Sequence, residues 1–197
     1  MTNPYTVDRP VNEKENLQKV EKKAIGKKAA SYITSDDSII IASGTTMLAL
    51  AREIQPQQKL MVITSALQVA SELTKFSHVD IMQLGGIVRQ SSSSAVGRYA
   101  EQMLQDFFCT KLFLGVDGID FDFGITTTNP MEAQLNKSMT QVVQKVIVLA
   151  DHTKFGRRGF SKICNIQDID EIITDKAIPT VIVDECHRLG IKLTIAE

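Results

Sequence analysis

Backbone and hydroxyl donors converge in one turn, formed by Ser43, Gly44, Thr45 and Thr46. The turn lies between an apolar run, IIIA, and a helical pattern, MLALA. The first turn of a helix leaves backbone N–H groups without partners inside the helix, and these groups suit a phosphate. Gly44 permits close backbone approach, and the threonines add donors. The same residue types also form ordinary helix caps, so the turn predicts either a phosphate site or a cap. The P-loop lysine is missing, which argues against a nucleoside triphosphate site.

Two further strand ends carry groups that could join such a site. Thr64 and Ser65 repeat the order of strand, hydroxyl and helix at the next strand, and capping is again the alternative. Gly85 and Gly86 end a third strand and permit close backbone approach. Arg89 follows them, and its guanidinium could pair with a phosphate or a carboxylate. A solvated surface role explains Arg89 equally well.

The segment GVDGIDFDFGITTTN combines three aspartates with a run of threonines. Asp117, Asp120 and Asp122 could suggest a calcium loop, but their spacing departs from the EF-hand rule and no bidentate Glu closes it. With Thr126 and Thr127 beside them, recognition of sugar hydroxyls is the better functional interpretation. A hydrogen-bonded turn is the alternative.

A cationic loop, DHTKFGRRG, follows a later strand. It places Lys154, Arg157 and Arg158 within five residues, close after Asp151. Such a group of charges is often a solvated rim, but beside an anion site it would complete that site.

Short apolar runs alternate with helical patterns and position these loops. The runs SIIIA, LMVIT and VDIMQ are continuous rather than alternating, which is typical of a sheet covered by helices on both faces. We therefore predict an α/β fold with a doubly wound, mostly parallel sheet. Ligands of such sheets bind beyond the carboxyl ends of the strands, where all of these loops lie.

The remaining elements continue this pattern. We expect one long amphipathic helix from Asn12, with Glu15 at capping-box spacing and an apolar stripe formed by Leu17, Val20, Ala24 and Ile25. Residues 117–129 are predicted as a loop. The other predicted elements are helices at 97–107, 130–143 and 180–190, and strands at 111–116, 145–150, 160–166, 171–175 and 192–196.

Composition limits the classes of function. The chain has 197 residues, with 22 Lys and Arg against 23 Asp and Glu, so no overall positive field favours DNA. No apolar run reaches the roughly 18 residues of a membrane span, and we expect a cytosolic location without membrane contact. Cys109, Cys164 and Cys186 are far apart and are predicted to be small buried thiols, not metal ligands.

The joint order of these motifs resembles one family. SGTT, LGG, VG, GVDGID, GITT, LADHTKFGRRGF and DIDEIITD follow one another as in the C-terminal effector domain of the DeoR family of bacterial transcriptional regulators. The resemblance extends from about residue 21 to residue 195. It implies a fold like that of ribose-5-phosphate isomerase and the CoA-transferases. It also implies a sensor of phosphorylated sugars or related intermediates that represses catabolic operons.

The same resemblance implies roles for individual residues. The phosphate would lie on residues 43–46, with Lys154 as countercharge and Asp117 near the sugar hydroxyls. Residues 1–20 would be a linker and the start of the first helix, and residues 21–197 the effector-binding domain. The family's winged helix-turn-helix has no match here, so we expect either a shortened regulator, which we favour, or a stand-alone sensor. DNA would be bound only through that separate domain, by a homodimer or homotetramer, because paired half-sites require at least a dimer.

Two enzymatic alternatives compete with this interpretation. The segment around Asp117 and Asp120 is similar to one in the isomerase, but TTTN stands where the isomerase has a Lys and a glycine run. Asn136 stands in place of the catalytic Glu, and an amide cannot shuttle a proton between carbons. A CoA-transferase-like enzyme would need a carboxylate nucleophile, and Glu101 and Glu132 look like ordinary helix residues. We therefore expect binding without turnover, with no catalytic residue, metal or cofactor.

Overall fold

The central feature is a sheet of seven parallel strands. The structure is a computed structural model that describes residues 10–35, 37–56 and 58–197. The strand order is β12-β11-β9-β6-β1-β2-β3. These strands are β1 (Ser38–Ile41), β2 (Leu60–Thr64), β3 (Val79–Gln83), β6 (Cys109–Gly115), β9 (Val143–Leu149), β11 (Glu171–Asp175) and β12 (Lys192–Ala196). Every neighbouring pair is parallel, which confirms the predicted sheet.

Helices cover both faces of this sheet. They are α1 (Val11–Glu15), α2 (Lys19–Ala30), α3 (Thr45–Glu53), α4 (Leu67–Leu73), α5 (Arg98–Leu104), α6 (Pro130–Thr140) and α7 (Thr180–Arg188). On β1, Ile40 enters the core beneath α5, α6 and α7, whereas Ile39 and Ile41 enter the core beneath α2, α3 and α4. Burial on both faces explains the continuous apolar runs and confirms the doubly wound arrangement. The three cysteines are buried and free, as predicted.

Two small antiparallel sheets lie outside the main one. One has the order β10-β8-β7, and the other pairs β4 with β5. Their strands are β4 (Ile87–Arg89), β5 (Ser94–Val96), β7 (Gly118–Asp120), β8 (Gly124–Thr127) and β10 (Ser161–Cys164). The prediction of a loop at residues 117–129 was therefore wrong. Ile119 and Ile125 pair across the β7–β8 hairpin and are fully buried. The free energy of burying them offsets the conformational entropy that this turn-rich segment loses on ordering.

The predicted first helix is broken in two. Gln18 adopts a left-handed backbone conformation, φ 51° and ψ 43°, between α1 and α2. The Lys22 ammonium donates to the carbonyls of Lys14 and Leu17, both at 2.6 Å, and so satisfies backbone groups released by the break. Leu17 and Val20, expected on the buried stripe, are 50% and 78% exposed.

The buried face of α2 is formed by Ile25, as predicted, together with Gly26 and Ala29, and the predicted Ala24 packs partly buried against the same core. A Cβ atom on Gly26 would lie 2.8 Å from the backbone of Ala49 in α3, so only glycine allows these two helices to pack this closely. The capping side chain expected at Asn12, like residues 1–9 of the expected linker, lies outside the described residues. None of the helices in the described ranges combines the length and the apolarity that crossing a bilayer requires.

Candidate functional site

A cavity of about 520 Å³ lies at the carboxyl edge of the main sheet. It is lined by Gly44 after β1, Asp117 after β6 and Lys154 after β9. Residues of the α1–α2 junction, of the β4–β5 hairpin and of α6 close the other sides. This is the edge at which parallel sheets bind ligands. Its volume falls within the range of about 300–1,000 Å³ that is usual for small-molecule sites.

The start of α3 presents open donors to this cavity. No side chain of the described residues caps the helix, and Gly44 before it has φ +126°. A Cβ atom on Gly44 would meet no atom within 4 Å, so the backbone conformation, not crowding, favours glycine here. The hydroxyls of Ser43, Thr45 and Thr46 make no hydrogen bond with any described residue. Donors of the first helical turn and of these side chains are therefore available to an anion.

Cationic side chains surround the same space. The Lys154 ammonium follows β9 and has no ion pair or hydrogen bond among the described residues. Burial lowers the pKa of the Lys22 ammonium to about 8, and the nearby Lys154 adds to this effect, whereas the Asp151 carboxylate opposes it. Arg157 and Lys14 also line the cavity. The cationic groups come from separate elements, so the fold assembles them.

Asp117 is the central acceptor of the cavity. One carboxylate oxygen accepts from the Thr127 hydroxyl at 2.9 Å and from the Thr128 N–H at 3.1 Å. The other lies 3.3 Å from the Lys14 ammonium. Burial alone would raise the pKa of Asp117, but the charges of Lys14 and Lys154 and these hydrogen bonds hold it below its ordinary value. Asp117 is therefore ionised at neutral pH and can accept hydrogen bonds from hydroxyls.

The wall formed by α6 contributes Glu132 and Asn136. The Glu132 carboxylate pairs with the Arg89 guanidinium at 2.6 Å, and both side chains are about one-tenth exposed. Asn136 is buried, with 6% of its surface exposed. Within the described ranges, no group of three or more His, Cys, Asp or Glu side chains could hold a metal ion.

Comparison with known proteins identifies the family. The model of the DeoR C-terminal sensor domain matches residues 17–176. The chain belongs to the DeoR family. It is 34% identical over 190 residues to the putative aga operon transcriptional repressor of Escherichia coli O157:H7, covering 96% of this chain and 71% of that protein. It is 32% identical over 192 residues to the transcriptional repressor AccR of Agrobacterium fabrum, covering 97% and 74%. The family predicted from the order of the motifs is confirmed, and this chain is a DeoR-type sensor domain.

Solved structures show where the fold recurs. Ribose-5-phosphate isomerase A from Methanocaldococcus jannaschii aligns with a TM-score of 0.50 at 12% identity, over 70% of this chain and 55% of that one. The delta subunit of eIF2B from Chaetomium thermophilum aligns with a TM-score of 0.51 at 15% identity, over 78% and 55%. The chain thus spans little more than half of either protein. These likenesses confirm the predicted isomerase-like fold and show the fold alone.

Some of the predicted site residues serve the interior of the DeoR-type domain. The Thr64 hydroxyl donates to the Ile41 carbonyl at 2.7 Å. Ser65 is buried beside it. The Thr126 hydroxyl donates to the Gly118 carbonyl at 3.1 Å. None of these three hydroxyl side chains lines the cavity.

The segment predicted as a loop around Arg89 forms the β4–β5 hairpin. Gly85 and Gly86 precede it and do not line the cavity. A Cβ atom on Gly86 would lie 2.5 Å from the Val96 carbonyl oxygen, so a close strand approach requires this glycine. Arg89 stands behind the cavity wall and acts on the cavity through its pair with Glu132.

Sequence reasoning missed several residues of the DeoR-type cavity. Lys14 and Lys22 belong to a helix that was expected to be continuous, and only the break at Gln18 turns its first part toward the cavity. Asn136 stands in the sequence only as an amide in place of a catalytic glutamate, which does not predict a place on the cavity wall. One signal was present in the sequence: Glu132 and Asn136 are four residues apart and therefore share one face of α6.

Proposed function

We propose that this DeoR-type sensor domain binds a phosphorylated sugar in the cavity and thereby controls a DNA-binding domain of the same regulator. The proposal rests on one observation: polar groups that can bind a ligand lie together in the same cavity. The start of α3 lines the same cavity as the ionised Asp117 and as Lys154, which has no ion pair among the described residues. Together they offer donors for an anion and an acceptor for hydroxyls.

The balance of charge suits a phosphate dianion. The cationic side chains that line the cavity are Lys14, Lys22, Lys154 and Arg157. The carboxylates that line it are Asp117, Glu132 and Asp151. Arg89 pairs with Glu132 from outside the cavity, so among the described residues five cations oppose three carboxylates, a surplus of two positive charges. A phosphate ester carries about −1.5 to −2 at pH 7 and would neutralise this surplus.

Sugar hydroxyls would bind at the opposite end of the cavity. The Asp117 carboxylate can accept hydrogen bonds there, and Thr127 and Thr128 hold it in place. In this arrangement the charged part of the ligand supplies most of the affinity, and hydroxyl contacts select among sugars.

The segment at residues 10–18 would carry the response. It forms one wall of the cavity, where the Val11 N–H donates to the Ser91 carbonyl at 2.6 Å and Lys14 pairs with Asp117. A ligand that engages Lys14 or Asp117 changes the contacts that hold this segment. Binding can therefore shift the population of its positions, and with it the DNA-binding domain. We further propose that the regulator acts on DNA as a homodimer or homotetramer, because paired half-sites require a dimer or a larger assembly.

The isomerase-like alternative needs a group that moves a proton. Asn136 on the cavity wall is an amide and cannot do so. We therefore expect incubation with ribose 5-phosphate to yield no ribulose 5-phosphate above the uncatalysed rate. Turnover that scales with protein concentration would favour the enzyme over the sensor.

A thermal-shift screen tests the proposed function. Ribose 5-phosphate, fructose 6-phosphate and glucose 6-phosphate are compared with ribose, fructose and glucose at equal concentration. At least one phosphate ester should raise the melting temperature, because a ligand at a hundred times its Kd stabilises the folded state by about 2.7 kcal/mol. Equal shifts by the esters and their parent sugars would contradict an anion site.

A further inference from the structure

Asn136 presents to the cavity an amide that has no hydrogen-bond partner among the described residues. It lies on α6 with 6% of its surface exposed, and it lines the cavity. Its side chain makes no hydrogen bond with any residue of the described ranges. Among the described residues, the fully buried polar atoms without a hydrogen bond belong to Gln83 and Thr174, so the Asn136 amide reaches the open space of the cavity, where it can bind water or a ligand.

The neighbours of Asn136 on α6 are either buried in the core or already paired. Ala133, Leu135 and Met139 are buried in the apolar core. Glu132, one helical turn before Asn136, also lines the cavity but is already paired with Arg89. Asn136 is therefore the member of this wall that keeps its hydrogen-bonding capacity open. An apolar residue of similar size would fill the same space but would offer the cavity no hydrogen bond.

The choice of an amide fits the charge of the cavity. A carboxylate at this position would reduce the surplus of positive charge that suits a phosphate, and it would stand beside Glu132. An amide adds no charge, and it can both donate and accept a hydrogen bond. A hydroxyl group can also donate and accept a hydrogen bond, so it can pair with an amide in either direction.

We propose that Asn136 is a specificity-determining residue that hydrogen-bonds to a hydroxyl or carbonyl oxygen in the sugar part of the ligand. This inference rests on the proposed function, since it requires that a phosphorylated sugar occupies the cavity. Asn136 contributes little to the recognition of the phosphate group itself, which lies with the start of α3 and Lys154.

Calorimetric titration of two leucine variants tests the role of Asn136. Asn136→Leu removes the buried amide, and Gln134→Leu removes an exposed amide from the same helix. The probes are ribose 5-phosphate, fructose 6-phosphate, glucose 6-phosphate and inorganic phosphate. For the sugar phosphate that the unmodified protein binds most tightly, Asn136→Leu should weaken binding about tenfold. Inorganic phosphate should bind both variants and the unmodified protein within about twofold.

The stability of the free protein gives a second readout. Because the Asn136 amide has no hydrogen-bond partner among the described residues, Asn136→Leu breaks no bond within the protein, and the melting temperature without ligand should stay the same or rise. A marked fall would show that the amide has a structural partner and would overturn the inference. Asn136→Asp keeps the shape of the side chain and adds charge, so it should weaken binding of sugar phosphates and inorganic phosphate alike. Unchanged binding of both probes to this variant would place residue 136 away from the ligand.

The outcomes separate this inference from the proposed function. If the unmodified protein binds a sugar phosphate and Asn136→Leu binds it equally well, the inference alone is wrong. If Asn136→Leu loses inorganic phosphate as strongly as the sugar phosphate, Asn136 does not select the sugar. If the unmodified protein binds inorganic phosphate and none of the sugar phosphates, the proposed function and the inference are both wrong.

Discussion

The two edges of the main sheet hold the same kinds of residue and use them differently. At the amino edge, Glu171 is fully buried and accepts hydrogen bonds from the Tyr32 and Thr194 hydroxyls, each at 2.7 Å. The ammonium groups of Lys145 and Lys192 each lie 3.0 Å from its other oxygen. Burial alone would raise the pKa of Glu171, but these donors hold it below its ordinary value.

Asp37 repeats this arrangement at the start of β1. Its carboxylate accepts from the Thr34 N–H at 2.8 Å, from the Thr110 hydroxyl at 2.7 Å and from the Lys111 ammonium. At the carboxyl edge, by contrast, Lys154 and Asn136 have no partner among the described residues. A hydrogen-bond network whose groups are all paired within the protein stabilises the fold. Polar groups in a cavity that have no such partner can instead form hydrogen bonds with a ligand. Residue types alone therefore do not tell the structural edge from the binding edge. The difference lies in whether their side chains have hydrogen-bond partners within the protein.

The largest expected effect is a loss of stability when the hydrogen-bond network at the amino edge is broken. Glu171→Ala should lower the free energy of unfolding by about 3 kcal/mol, the lower end for a broken buried ion pair, because Lys145 and Lys192 can regain water. Urea denaturation measures this loss. Glu185→Ala, which removes a partly exposed carboxylate paired with Arg188 on α7, should leave stability almost unchanged. Similar losses in the two variants would mean that the amino edge is not a structural network.

The next effect concerns binding and isolates Lys154. Lys154→Ala should weaken the binding of a sugar phosphate about ten- to a hundredfold, or roughly 1.5–3 kcal/mol, because it removes a charge-assisted contact. Stability without ligand should barely change. Arg158→Ala is the control, since the Arg158 guanidinium pairs with Asp120 at 2.7 Å and lies outside the cavity lining. Equal, small losses in calorimetric titrations of both variants would remove Lys154 from the site.

A smaller effect follows from the pKa of Lys22. Burial lowers that pKa to about 8, so the ammonium is charged at pH 7 and largely neutral at pH 9. Affinity for a sugar phosphate should therefore fall by up to about tenfold between pH 7 and pH 9, because a neutral amine loses its attraction to the phosphate. The carboxylates of the amino edge have lowered pKa values and stay ionised throughout this range. Titrations that give a constant affinity from pH 7 to pH 9 would place Lys22 outside the anion site.

The smallest effect concerns the wall formed by residues 10–18. Lys14→Met removes a partly exposed ion pair with Asp117 and should cost less than about 1 kcal/mol of stability. Hydrogen exchange of backbone amides in this wall should nevertheless become faster, because the wall loses a tether. Lys59→Met removes a more exposed pair with Asp80 and should leave exchange in the wall unchanged. Identical exchange in both variants would show that the Lys14 pair does not hold the segment.

Much of the fold and part of the candidate site could be predicted from the sequence. Continuous apolar runs identified the strands of the parallel sheet, and the residues just after them had to lie at its carboxyl edge. Ser43, Gly44, Asp117 and Lys154 therefore line the cavity as the sequence led us to expect. That they bind a phosphorylated sugar stays a prediction.

The sequence by itself determined the periodicity of the chain and hence the sheet, its two covered faces and the edge at which its loops meet. Only the tertiary structure decided which polar side chains are satisfied. Thr126 and Thr127 are neighbours of one type, yet Thr126 bonds inward to Gly118 while Thr127 reaches Asp117 in the cavity. Lys14 meets Asp117 across 103 positions of sequence. The physical reason is that hydrogen-bond partners are set by packing between distant segments, whereas the pattern of strands and helices follows from local burial.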